Sequence, residues 1–257
     1  TVAWMMLKNL PNMRAFMQTS SGISREHNVR SLRFPQLFFA PADLTISYTS
    51  AELQPGSDKL DKRIQFVGTT LIQRDDAPAF PLEPLDGKTV IYISLGTLIN
   101  TNLQFFKDCM AAFADTPYTV VMAIGNRLKI DALGTIPTNF IVRNYVPQTE
   151  IVRRAALFIS HGGMNSVHDA LYLGVPLLLI PQQAEQTMTA ARIEQFGAGV
   201  RVEHPTPTLL RQSAERILSD AAYKQNADKL GEGLRNSGGA PRAAELVLAM
   251  VREKQQS

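Results

Sequence analysis

The sequence predicts an α/β protein in which a parallel β-sheet carries helices on both faces. Apolar runs at 90–95, 119–124, 140–142, 156–160 and 175–180 are continuously hydrophobic rather than alternating, the pattern of strands covered on both sides. Helical spacing fills most of the gaps, as where Leu103, Phe106, Met110 and Phe113 fall on one face. The runs at 90–95, 156–160 and 175–180 each end in a polar or Gly-rich stretch. In an open parallel sheet these are the carboxyl strand ends, where ligands bind.

Taken in order, residues 1–39 show helical apolar spacing in places, broken at Pro11 and Pro35. The polar run 20–28 is expected to be a loop that leaves His27 in solvent. Residues 44–49 alternate and are rich in β-branched and aromatic side chains, so they should form a strand. From 54 to 88 the residues Pro55, Pro78, Pro81 and Pro84 prevent long regular elements, leaving room for a short strand at 64–67. That stretch reads as an interdomain linker. Beyond the strand-helix alternation the chain is helical, with breaks at Pro205-Thr206-Pro207 and Ser237-Gly238-Gly239 and a last helix ending near Lys254. The expected organisation is a tail of one domain at 1–54, a linker at 55–88, a ligand-binding domain at 89–236 and a carboxyl-terminal helix at 237–257.

Composition narrows the function. The chain has 257 residues, 45% hydrophobic and 19% charged, enough to bury a sizeable core. A net charge of +3 without a dense Lys/Arg cluster interleaved with aromatics gives no support to a nucleic-acid partner. Cys109 is the sole cysteine and cannot form an internal disulfide, which fits a reducing, cytoplasmic setting. No apolar run approaches the roughly 18 residues of a membrane span. The chain starts at Thr1, and the short apolar stretch 3–7 is interrupted by Lys8 too soon for a signal peptide. It is expected to begin inside a larger amino-terminal domain; an initiator codon immediately upstream would refute this.

The chemistry concentrates between 144 and 202. The run 156–160 ends at His161 and gives way to Gly162-Gly163, after which 164–173 reads as a helix. Glycines at such a turn remove the Cβ atoms that would hold a ligand away. The first helical N–H groups, of Asn165 and Ser166, have no intrahelical carbonyl, and the positive end of the helix dipole adds to them. Together they suit a phosphate, although the same turn, capped by Ser or Asn, occurs in many α/β proteins. Tyr145 offers an aromatic face, and Gln148 offers an amide beside the bend at Pro147. The pair could stack on and hydrogen-bond a pyrimidine, or the ring could simply be core.

Three pieces, Tyr145-Val146-Pro147-Gln148, His161-Gly162-Gly163-Met164-Asn165-Ser166 and Pro181-Gln182-Gln183-Ala184-Glu185-Gln186, resemble in order and spacing the donor-binding signature of nucleotide-sugar glycosyltransferases. The resemblance is to the GT-B fold and to bacterial macrolide and natural-product UDP-glycosyltransferases. It implies a Rossmann-like donor domain with a remnant of the acceptor domain, 44–49 being that domain's last strand and the final helix packing back toward it. It also implies that the N–H groups near Gly163 and Asn165, the Ser166 hydroxyl and a His161 ring N–H hold the diphosphate. Tyr145, where the family commonly has Trp, and Gln148 would take the uracil, with Val146 between them. Asp169 would bind the ribose hydroxyls, a place where many plant members carry Glu, and Glu185 with Gln186 would bind the sugar. Ser94 and Thr97, closing the first core strand, belong to the same donor set.

The implied reaction is inverting transfer of a hexose, glucose first, from a UDP-sugar to a hydroxyl of a small-molecule acceptor. The general base of relatives is a histidine near the amino terminus, and no residue here fits it. His161 lies on the donor side, where a phosphate contact suits it better than a base. The isolated chain is therefore expected to bind UDP but transfer little; robust turnover by it would overturn this. No cofactor is expected, and the lack of an Asp-x-Asp motif or a metal-spaced Cys/His set argues against a metal. Gly197-Ala198-Gly199 follows a helix and precedes a strand, the reverse of a dinucleotide fingerprint, and Ser94 lacks the glycine pattern of a nucleophile elbow. Two alternatives stay open: a UDP-sugar-binding subunit that needs a partner chain for the acceptor half, and a nucleotide-sugar epimerase of the same fold.

Overall fold

A computed structural model describes residues 10–29, 42–71, 79–96 and 101–256. The chain divides into two units, Thr1–Thr45 and Ile46–Ser257, each described by itself. In the first, helix α1 (Leu10–His27) runs through the polar stretch expected as a loop, and His27 is its last residue. The correction has a simple cause. Pro11 sits in the first turn, where its missing N–H has no intrahelical partner to lose. Arg25, Glu26 and His27 of that stretch are exposed on the helix, while Ser20, Ser21 and Ser24 are half-buried.

The sheet follows from period-two sorting of apolar strands. Six parallel strands, β3 (Val90–Ser94), β4 (Thr119–Ala123), β5 (Phe140–Arg143), β6 (Ala155–Ser160), β7 (Leu177–Leu179) and β8 (Gly199–Arg201), lie in the order β5-β4-β3-β6-β7-β8. Ile91 and Ile93 face one core with α2 (Leu103–Phe113) and α6 (Pro207–Ser219). Val90 and Tyr92 face the other, with α3 (Gln148–Arg154), α4 (Met164–Tyr172), α5 (Ala184–Gln195) and α7 (Ala221–Asn236). Burial on both faces explains why these strands read as unbroken apolar runs.

The segment before the sheet forms a small ribbon in which β1 (Thr45–Ser47) pairs with β2 (Ile64–Phe66). Within the second unit this segment is tied down at several points. Thr49 Oγ1 meets His168 Nε2 at 3.0 Å, Arg192 Nη2 donates to the Glu52 carbonyl at 2.6 Å, and the Gly239 N–H donates to the Val67 carbonyl at 2.6 Å. Gly239 opens the last helix, α8 (Gly239–Gln256). Thr206 caps α6 by accepting the Leu209 N–H at 3.3 Å, with Pro207 in the first turn. The proline cluster that breaks the pattern in the sequence is thus a helix start. Among the described residues no helix is long and apolar enough to cross a membrane.

Candidate functional site

In this strand order the chain leaves β3 and β6, which are neighbours, toward opposite faces, and a crevice opens between their carboxyl ends. The two exits are built alike. Ser94 and Ser160 stand opposite each other in register. Each hydroxyl accepts the N–H two residues on, from Gly96 at 3.3 Å and from Gly162 at 3.3 Å. Both glycines adopt positive φ, +77° and +85°, a conformation that residues with a Cβ reach only under strain.

The His161 ring lies between the exits. A Cβ on Gly96 would stand 2.7 Å from its Cε1, and one on Gly163 would stand 2.4 Å from its Nε2. The ring fits because both positions are glycine. Nδ1 is buried and has no hydrogen-bond partner among the described residues. Burial holds the ring's pKa below the usual histidine value, with the Glu185 carboxylate opposing the shift. A neutral ring with one N–H to donate is the result near pH 7.

Helix α4 begins beside this ring. Its N-cap is Gly163, which has no side chain to offer, and the first intrahelical bond is Val167 N–H to the Gly163 carbonyl at 3.0 Å. The N–H groups of Met164, Asn165 and Ser166 come before it and have no carbonyl within the helix. Asn165 is exposed and Ser166 half-buried. Backbone donors, the positive helix end and a neutral imidazole converge at one point, which is the chemistry of an anion site.

A second cluster stands beside it. Tyr145 is 37% exposed after β5, whereas Val146 is buried in the core and contributes packing. The Asn144 amide fixes this turn by donating to the carbonyls of Gly125 at 2.7 Å and Leu128 at 3.0 Å. Gln148, in the first turn of α3, donates from Nε2 to Asp169 Oδ2 of α4 at 2.8 Å. The structure thus brings together two residues that the sequence nominated separately.

The third group opens α5. Glu185 is exposed. Gln186 turns inward: it is buried, and its Oε1 accepts the Gln182 N–H at 2.9 Å. Its backbone lies under the glycine turn, 3.4 Å from where a Gly162 Cβ would be. Thr97 lies outside the described residues. His168 is buried on the inner side of α4, away from the crevice, and His204 is an exposed loop residue. The sequence does not reveal that Gly96 makes room for the His161 ring, nor that Tyr92 reaches Gln148. The repeated Ser-x-Gly at 94–96 and 160–162 could have pointed to the first. Among the described residues no group of three or more His, Cys, Asp or Glu side chains is placed to hold a metal ion.

Fold and crevice together define a doubly wound, Rossmann-like domain with an anion cradle at its topological switch point. The model for the erythromycin biosynthesis protein CIII-like C-terminal domain matches residues 107–252, more than half of the chain, and the chain belongs to that family. The UDP-glucosyltransferase YojK of Bacillus subtilis (strain 168), itself uncharacterized, is 35% identical over 98% of this chain and 62% of its own length. The chain therefore spans about three fifths of that relative. The solved calicheamicin glycosyltransferase CalG4 superposes with a TM-score of 0.77 at 31% identity, covering 90% of this chain and 59% of its own. The glycotransferase of kitacinnamycin gives a TM-score of 0.81 at 28% identity, covering 93% and 65%. The fold is the GT-B type of these glycosyltransferases.

Proposed function

We propose that the chain supplies the donor half of an inverting, metal-independent glycosyltransferase that moves a hexose from a UDP-sugar to a hydroxyl of a small-molecule acceptor. The observation that carries this is the amino end of α4 beside His161, whose ring is wedged between Gly96 and Gly163. In this reading residues 89–236 carry the donor. The diphosphate rests on the N–H groups of Asn165 and Ser166, the Ser166 hydroxyl and the His161 ring, while Tyr145 and Gln148 take the base. Asp169 takes the ribose and Glu185 the sugar. The name of the Bacillus relative favours glucose as the hexose, and the name of the calicheamicin enzyme favours a natural-product acceptor.

The acceptor oxygen forms a bond to the anomeric carbon from the side opposite the diphosphate, and the bond from that carbon to the phosphate oxygen breaks. The acceptor proton passes to a general base, which we place in the acceptor half of the full-length enzyme. Charge builds on the departing diphosphate. Fixed backbone donors and the dipole of α4 stabilise it there without a metal or other cofactor.

Titration calorimetry of the chain with UDP, UDP-glucose and TDP-glucose tests the reading. Ser166→Ala is expected to weaken UDP by about 1.5 to 3 kcal/mol, the range for a hydrogen bond to a charged group. A folded chain that takes up no UDP would overturn it.

A further inference from the structure

Tyr92 belongs to an apolar strand and reads as core, and most of it is: the ring is 1% exposed and lies 4.5 Å from that of Phe158. Its hydroxyl is the part that needs an explanation. It donates to Gln148 Oε1 at 3.4 Å, and Gln148 in turn passes an N–H to Asp169 Oδ2 at 2.8 Å. The two bonds point one way, from strand β3 to a carboxylate on α4.

A head-to-tail chain of this kind has two physical effects. Each bond polarises the next, so the chain is stronger than its separate members. It also decides the orientation of the Gln148 amide, whose two ends differ only in donor and acceptor character. With Oε1 held by the phenol, Nε2 must face Asp169. The phenol itself stays protonated, because burial pushes its pKa well above the usual tyrosine value.

We infer that Tyr92 is a positioning residue for the nucleoside: through Gln148 it fixes the Asp169 carboxylate in the orientation that grips ribose hydroxyls. This rests on the donor-site reading above and adds to it a residue that never touches the ligand. Tyr92→Phe removes one oxygen and keeps the ring on Phe158.

The test measures binding of UDP and of 2′-deoxy-UDP to the chain by calorimetry, with thermal melting as the control for folding. Tyr92→Phe is expected to weaken UDP about fivefold and 2′-deoxy-UDP by less than about twofold, the scale of one neutral hydrogen bond. In a Gln148→Ala background the same change should add nothing, since coupled residues are not additive. Equal losses for both nucleotides, no loss at all, or an additive double variant would each overturn the positioning role. If Tyr92→Phe does not fold, Gln148→Ala must weaken UDP more than 2′-deoxy-UDP, because it releases Asp169 as well as losing a contact to the base that the two nucleotides share, and equal weakening of both overturns the relay. A wild-type chain that binds neither nucleotide overturns the donor site itself, which separates the two failures.

Discussion

Replacing Gly231 by alanine is expected to destabilise the chain by about 3 kcal/mol, the upper part of the range for overpacking a filled interior. The sign is opposite to that of helix propensity, because Gly to Ala inside a helix ordinarily gains about 1 kcal/mol. Gly231 lies on the buried side of α7, and a Cβ there would stand 2.1 Å from the Leu171 carbonyl oxygen of α4 and 2.7 Å from Arg235 Nη1. The oxygen belongs to backbone and cannot swing aside. The same face of α7 holds the carboxyl end of α4 with other groups. Lys224 Nζ donates to the Gly174 carbonyl at 3.0 Å, and Arg235 Nη1 donates to the Tyr172 carbonyl. Lys224, Gly231 and Arg235 share one side of α7 because they are seven and then four residues apart, whole turns of a helix.

Chemical denaturation of Gly231→Ala against wild type gives the measurement, and unchanged stability would show that α4 and α7 do not approach as described. A second readout links the packing to function. Helix α4 presents its carbonyl end to α7 and its amino end to the crevice, so pushing it along its axis shifts the N–H groups of Asn165 and Ser166. UDP binding should weaken in the same variant at temperatures where it is still folded.

Much of this architecture was legible in the sequence because the governing signals are local. Apolar runs gave the core strands β3 to β7, and glycines after β6 gave the turn. The edge strand β8 was located only through the glycines before it. Other features depend on distant partners. Gln148 and Asp169 were each nominated alone, since no periodicity states that α3 and α4 place them 2.8 Å apart. Tyr92 lies in an apolar run and gives no sign of a polar role there; only the fold reveals that its hydroxyl meets Gln148. Gln186 likewise accepts the backbone N–H of Gln182, four residues earlier, a contact that no periodicity states. The error over residues 20–28 arose differently. Ser and Gly weaken a helix without forbidding it, and α1 presents exposed polar positions there that the pattern could not distinguish from loop.

The second large effect is an acid-sensitive core. His168 is 3% exposed on the inner side of α4, and burial alone drives its pKa from 6.5 to about 4. Its ring nitrogen Nε2 meets Thr49 Oγ1 at 3.0 Å, a hydroxyl that can serve the neutral ring but cannot compensate a charge. Between pH 6.5 and about 4 the unfolded chain binds a proton at this position that the folded chain does not. Stability therefore rises with pH in that window. The contribution is complete above the unfolded value and is lost as pH falls toward the folded one. At 1.36 kcal/mol per unit the loss comes to about 3 kcal/mol. His161 is shifted in the same direction, also by burial, and adds to the slope. His168→Gln keeps a group that can bond Thr49 but cannot titrate, so it isolates the larger part. Urea unfolding at several pH values should show wild type losing roughly 3 kcal/mol more than His168→Gln between about pH 7 and pH 4. Parallel losses in the two proteins would mean that His168 is protonated in the folded chain and that the core around α4 is not closed to charge.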